Sequence, residues 1–342
     1  MLLAFNTFVL INYFEVFMAD GSIQFKLISI IFCLFFFFAS EAQHSSSYSN
    51  QLSFITENDY YLMQGKDAYY TNGIIINYSK IHHPRKRKFI KQTDQYEVGQ
   101  KIFTAFSRKI YNVSEIDRPI AGYLYAKFLR TSFLTHNRFF QWGVSLGTIG
   151  KPALGKQMQN GFHKLIDVDP GIWGWIWDYQ LKTEPGINLH GLYAKGLIDD
   201  SESFFQVTPV TKATLGTSFT HISQAVFFQL GNLKPSGESA YWNASVEEKG
   251  VKAIKKTELF LYYLPELKYQ LYNATIQGGL FRKDKGPITS TVNPLVFTQQ
   301  LGALCSLDRY TLRLGIVFET KEASTQHFHH VYASIQGSYR FR

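Results

Sequence analysis

Two cysteines in 342 residues are too few for a disulfide framework, because Cys33 lies in an apolar leader and Cys305 is left alone. Cys305, inside LGALCSL, reads as a small packed hydrophobe. Charged residues are only 18% of the chain and aromatic ones 16%, which excludes disorder and favours β structure over a helix bundle. After residue 43 no apolar run approaches the roughly 20 residues that a membrane-crossing helix needs. There is no internal repeat, phosphate loop or dinucleotide fingerprint.

What is present begins with an export signal. Lys26 precedes LISIIFCLFFFF, Leu27 to Phe38, an apolar block too short to span a bilayer, and small residues follow in ASEA. The chain therefore divides into a signal peptide, 1–42, and a domain, 43–342, with Met18 as an alternative start. Removal of Lys26, Glu15, Asp20 and Glu41 leaves 34 basic against 23 acidic residues, a charge of +11. Outside the cytoplasm such a chain is expected to meet anionic lipid headgroups or lipopolysaccharide phosphates, not nucleic acid.

Strict period-two alternation fills the rest. In FQWGVSLGTI, Phe140, Trp142, Val144, Leu146 and Thr148 point one way, and Gln141, Gly143, Ser145 and Gly147 the other. TLRLGIVFE (311–319) and VYASIQGSYRF (331–341) split in the same manner. A soluble sandwich would put charge on its polar face. Here that face is rich in Gly, Ser and Gln, the pattern of a lumen, with the apolar residues facing lipid.

The fold class is thus all-β, a transmembrane antiparallel barrel of about twelve strands with a short helix in an extracellular loop. The strands are expected near 50–58, 70–80, 95–104, 122–134, 138–149, 187–198, 204–214, 220–231, 257–269, 294–306, 311–320 and 329–341. If the first strand runs outward, the connections 59–69, 105–121, 150–186, 215–219, 270–293 and 321–328 lie outside. The long 232–256 connection is an exception to the short inner turns such barrels prefer.

The helix is ALGKQMQNGFHKLID, 153–167, in the longest outer loop. Leu154, Met158, Phe162, Leu165 and Ile166 form a stripe expected to dock on the wall, with Gln159 and His163 adjacent at its edge. A lone helical histidine is more often structural than catalytic. Three polar clusters reach the same rim, however: TENDYY, KDAYYTNG and DRPIAGYLY. They bring Asn58, Asp59, Asp67, Thr71, Asp117, Arg118 and His163 to one end of the barrel. Outer loops are polar anyway, which explains any one cluster; their coincidence points to a site.

Other motifs carry less. GVSLG (143–147) matches a nucleophile elbow in spelling, but Ser145 sits inside an alternating strand and not at a strand-to-helix turn. HFHH (327–330) lacks a Cys or carboxylate at metal-ligand spacing and reads as the polar top of the last strand. HHPRKRKFIK (82–91) reads as a solvated basic inner turn.

ENDYY, DAYYTNGI, DRPIAGYLY, LGTIGKPALGKQMQNGFHKLI and WDYQLKTEP together resemble the lipid A 3′-O-deacylase family of outer-membrane enzymes, most strongly over 54–190. The resemblance implies an active site between the outer wall and a helix, and calcium-dependent hydrolysis of the ester at the 3′ position of lipid A. It implies catalytic roles for His163, Asn58, Asp59 and Thr71, and substrate contacts from Asp117, Arg118 and Gln159. Asp169 stands where relatives carry Glu.

The chemistry is compatible with these residues. With no activated Ser or Cys in the clusters, His163 would activate water. Calcium prefers oxygen ligands and suits Asn58 and Asp59, although Asp59 could instead orient His163. The substrate is expected to be lipid A in the outer leaflet, and the protein a monomer. The alternatives are an outer-membrane phospholipase, with a Ser-His pair, and a non-catalytic porin-like barrel.

Overall fold

A computed structural model describes residues 47–342 apart from 63–67, 84–87, 108–109, 166–173, 199–202 and 249–256. The signal peptide, Asp67, Ile166 and Asp169 lie outside the described residues. Twelve strands form one closed antiparallel barrel in which each pairs with its sequence neighbour and β1 closes on β12. They are β1 (Asn50–Asn58), β2 (Tyr70–His82), β3 (Lys91–Phe103), β4 (Ala121–Leu134), β5 (Arg138–Ile149), β6 (Glu184–Lys195), β7 (Phe205–Gly216), β8 (Phe219–Asn232), β9 (Thr257–Asn273), β10 (Leu295–Leu307), β11 (Tyr310–Glu319) and β12 (His330–Phe341). Among the described residues two α-helices interrupt the outer loops, α1 (Gly155–Leu165) and α2 (Ala274–Gln277). Among the described residues no helix is long and apolar enough to cross a membrane. The crossing belongs to the strands.

The alternation has the expected sense. On β5, Trp142 and Leu146 are 48% and 61% exposed while Ser145 is 2% exposed. Around the wall Leu52, Phe54, Ile76, Val98, Leu189, Leu215, Leu261 and Leu301 face outward in the same way. Closure satisfies every strand edge, which a lipid surround requires. Strands β3 and β6 begin earlier than periodicity suggests, because Lys91–Asp94 and Glu184 turn polar side chains into protein partners and not into a visible apolar stripe.

The long inner connection between β8 and β9 has a physical explanation. It folds back into the lumen, where Leu233, Ala240, Ala244 and Val246 are buried and Trp242 stacks against Phe139 and Phe227. Gln51 donates to Asn243 at 2.9 Å, and Lys91 donates to the Ala244 carbonyl at 2.6 Å. The inner half of the barrel is therefore filled by its own chain.

Candidate active site

Outward-facing positions near the outer end of β1, β2 and β3 depart from the lipid pattern. On β1 the outward series runs Leu52, Phe54, Thr56, Asn58, and on β3 it runs Tyr96, Val98, Gln100, Ile102. The lower members are exposed, whereas Asn58, Asn72, Gln100 and Ile102 are 6% exposed or less. Register puts them side by side: Asn58 pairs with Asn72, Asn72 with Ile102, and Ile102 with Gly122. Something covers the wall at this height.

The cover includes α1, which lies against β3 and β4. Gly150, at φ 83°, turns the chain out of β5, and a 3-10 turn, Lys151–Ala153, leads into the helix. Gly122 and Gly155 let the two backbones meet: a Cβ on Gly122 would sit 3.2 Å from the Gly155 Cα, and one on Gly155 would collide with Trp177 at 2.3 Å. Gln100 Nε2 donates to the Ala153 carbonyl at 3.1 Å, tying the wall to the base of the helix. His163 and Lys164 in the last turn suit the negative end of the helix dipole.

The docked face differs from the sequence expectation. The buried line of α1 is Gly155, Gln159 and His163, at i, i+4 and i+8, while Met158 and Phe162 are half-buried at its border. Leu154 is 49% exposed and belongs to no docking stripe, since its left-handed conformation (φ 57°) caps the preceding turn outside the helix. The side chains of Leu165 and Ile166 lie outside the described set. Met158 packs against the apolar cluster that holds Ile102 and Trp177, so the helix docks with polar and apolar side chains together. Gln159 is fixed by Trp177, whose Nε1 donates to Oε1 at 2.7 Å. Gln159 and His163 are 4% and 5% exposed.

At the top of β1, Asn58 Oδ1 accepts from the Tyr60 N–H at 2.7 Å, and Asp59 Oδ2 accepts from the Ala68 N–H at 2.6 Å. These bonds hold Tyr60 and Ala68, the described ends of the connection, to the top of β1. Thr71 lies in an irregularity of the β2–β3 register, between the pairs Tyr70–Phe103 and Asn72–Ile102. Such bulges re-aim side chains. Thr71 Oγ1, Asn72 Oδ1 and Gln100 Oε1 are buried oxygens without a hydrogen-bond partner among the described residues. Unsatisfied buried polar atoms are costly, and these three on adjoining strands make the patch a candidate for receiving a ligand.

Asp117 and Arg118 sit elsewhere, in a network that ties the outer loops together. Asp117 accepts from the Tyr69 hydroxyl at 2.7 Å and from the Phe106 and His327 N–H groups at 2.9 Å. Burial and the adjacent Asp117 carboxylate push the Tyr69 phenol upward, so it remains a donor. Arg118, 1% exposed, donates to Thr275 at 3.2 Å and pairs with Glu322 at 3.3 Å. Burial acts to raise the Glu322 pKa, but Lys268 and Arg118 outweigh it and pull the carboxyl down to about 2.

Ser145 lies in the lumen, with Oγ 2.9 Å from His190 Nε2 and accepting from Asn188 at 3.1 Å. It is on the opposite side of the wall from the polar patch. Sequence reasoning missed Asn72, Gln100 and Trp177. Gln100 had a signal, as an amide following Tyr96 and Val98 in the outward series of β3; Trp177 opens the WDYQLKTEP segment, but its pairing with Gln159, 18 residues away, had none.

A closed twelve-stranded barrel, with a lipid-facing belt and one wall patch roofed by a helix, defines an integral outer-membrane protein. The family model for outer membrane protein LpxR matches residues 28–341, and the chain belongs to that family. Its fold is similar to that of LpxR from Salmonella typhimurium, at 19% identity and a TM-score of 0.67, over 85% of this chain and 100% of that one. The KdgM porin (9% identity, TM-score 0.38, 85% of this chain and 99% of that one) is far less similar. A search of curated protein sequences finds no match.

Proposed function

We propose that the protein is a lipid A 3′-O-deacylase, hydrolysing the ester of the 3′-linked acyl or acyloxyacyl chain in the outer leaflet. The observation that carries this reading is the polar, buried face of α1, Gly155–Gln159–His163, set over a wall whose outward positions should be apolar. His163 lies eight residues beyond Gly155, about 12 Å along a helix. Gly122 and Asn58 are three strand spacings apart, about 14 Å. A helix rooted at β4 thus has the length to bring His163 over Asn58 and Asn72. An acyl chain in the leaflet can arrive sideways along Phe54, Ile76 and Val98.

In this reading His163 takes a proton from water as the water oxygen bonds to the ester carbonyl carbon. The carbonyl C–O bond to the sugar then breaks and the proton passes to the departing 3′ oxygen. The products are a free acid and a 3′-hydroxyl glycolipid. Thr71, Asn72 and Gln100 accept hydrogen bonds from substrate or attacking water.

The donors Asn58, Asp59 and Thr71 fit calcium, being hard oxygens, and Thr71 Oγ1 is buried without a partner among the described residues. No group of three His, Cys, Asp or Glu side chains there could hold a zinc-like ion among the described residues. Asp59 and Asn58 would hold the calcium, with backbone oxygens and water completing its shell. When bound, it would polarise the ester carbonyl and stabilise the developing oxyanion. Asp117 and Arg118 hold the loops that frame the site.

The porin alternative is disfavoured by the filled inner lumen, and the serine alternative by the position of Ser145 inside the barrel. Mass spectrometry of lipid A from cells with and without the protein tests the reading. Loss of the 3′ chain supports it; unchanged lipid A with an assembled barrel refutes it.

A further inference from the structure

The outer connection between α2 and β10 carries GGLFRKDKG, residues 278–286, which reaches over the short β7–β8 turn to the start of β6. Glu184, 6% exposed, turns inward from β6 and grips this loop: its carboxylate accepts from the Phe281 N–H at 3.1 Å and the Arg282 N–H at 3.1 Å. Arg282 Nη1 donates to the Thr183 carbonyl at 2.8 Å, and the Lys182 N–H to the Lys285 carbonyl at 3.1 Å. Gly278 and Gly286, at φ 75° and 118°, form the two ends in conformations that L side chains rarely adopt. A Cβ on Gly279 would strike the Glu184 carboxylate at 2.1 Å. The loop is therefore a fixed finger.

Its outer surface is amphiphilic. Leu280 and Phe281 are 48% and 75% exposed, next to exposed Arg282 and Lys283. Against it lies the basic root of α1. Gly150 abuts Thr183, so exposed Lys151 adjoins Lys182, and Lys156 follows in the first turn of the helix. The facing acids, Asp178 and Asp284, are 76% and 70% exposed and approach Lys156 and Lys182 only to 3.8 Å, contacts of little worth in water. The Glu184 carboxylate is engaged within the finger. Cations from three separate segments thus converge on the outer rim beside α1 with no matching set of acids among the described residues.

We propose that this surface is a phosphate-anchoring exosite, at which Arg282, Lys283, Lys182 and Lys151 bind the phosphate groups of lipid A while Leu280 and Phe281 contact its acyl region. The inference rests on the deacylase reading and deepens it: the enzyme selects phosphorylated glycolipid by holding its charged headgroup beside the helix. Charge complementarity favours this occupant, because lipid A presents fixed phosphates at the headgroup level where the finger stands. Arg offers a fork matched to phosphate, and each cation near an anionic surface contributes about a fivefold gain in binding.

The test compares wild type with the double variant Arg282→Gln/Lys283→Gln, both in detergent micelles and both checked for the compact, heat-sensitive gel mobility of a folded barrel. With lipid A bearing both phosphates, the variant should show a KM raised about 10–30-fold, with little change in kcat. With chemically dephosphorylated lipid A, the two proteins should share one KM. Added salt should raise the wild-type KM for the phosphorylated substrate more steeply than that of the variant. A second measurement stands apart from hydrolysis: retention of phosphorylated lipid A by each purified protein through gel filtration, with anionic phospholipid as competitor. If wild type cleaves neither substrate but retains lipid A better than the variant, the deacylase reading fails and the exosite stands. Equal retention and equal KM values overturn the exosite. So does an equal loss on both substrates, which would report loop packing, and so does competition by phospholipid as strong as that by lipid A.

Discussion

The outer wall over β1–β3 and the outer wall over β8–β10 are built from the same alternating strands, yet they end differently. On the far side the lipid-facing series stays mostly apolar and open, with Leu267, Leu271 and Leu295 at least half exposed and the amides of Gln224 and Gln299 bonded to the neighbouring-strand side chains of Thr211 and Tyr263. On the near side it turns to Asn58, Asn72 and Gln100, and these are buried. An amide facing hydrocarbon is costly unless it finds a partner, and on the near side the covering protein buries Asn58, Asn72 and Gln100 as a group. The contrast marks the candidate site without reference to any motif: it is the patch where outward-facing polar side chains are buried together.

The contrast can be broken from the helix side. His163→Asn should lower deacylation by about 10²–10⁴, the usual worth of a general base, while the barrel still assembles. EDTA should silence wild type without unfolding it, since closed strand pairing and not a metal holds the barrel. Full hydrolysis by the variant in EDTA would end the proposed mechanism. A smaller loss is expected from Gly155→Val, whose side chain must push Trp177 or the Gly122 backbone away and lift α1. Activity should fall at least about tenfold, with increased labelling of a cysteine placed at Gln159, because a helix displaced by an ångström misplaces its base.

On the loop network the expected effect is gentler and depends on pH. Glu322 sits near 2 in the fold against an ordinary 4.5, so its contribution is complete above about pH 4.5 and is lost as pH falls toward 2. Hydrogen exchange of segments 110–120 and 320–329 should quicken across that window, and Glu322→Gln should remove the dependence. The smallest effect belongs to the lumen: Ser145→Ala should leave hydrolysis within about twofold. A hundredfold loss with an intact barrel, the scale of a missing catalytic group, would move the chemistry inside.

Most of the barrel was legible because its constraint is local: a strand with lipid on one side and a lumen on the other must alternate, residue by residue. The count of twelve and the outer placement of the helix followed from that alone. The docking face of α1 was legible only in part: Met158 packs on the cluster that holds Ile102 and Trp177 as its stripe predicts, whereas Leu154 is exposed and Gln159 and His163, expected at the edge, are buried. Nothing in the order Gly155, Gln159, His163 announces burial until Asn72 and Gln100 are known to face outward at the same height. The bond from Trp177 to Gln159 and the Glu184 grip on Phe281 were invisible for a simpler reason, although Trp177 and Glu184 both lie in WDYQLKTEP. They join residues 18 and 97 positions apart, and no periodicity encodes such pairs.

The folded-back β8–β9 connection also constrains the order in which the molecule can be put together. It touches Gln51 on the first strand, Lys91 on the third and, through the Ser236 N–H, Asn137 in the turn between the fourth and fifth. A segment with partners on so many sides cannot enter a finished cylinder through its wall. Its bonds join positions 192, 153 and 99 residues apart, so none of them can be complete until the sheet has curled far enough to bring β1, β3 and the β4–β5 turn around it.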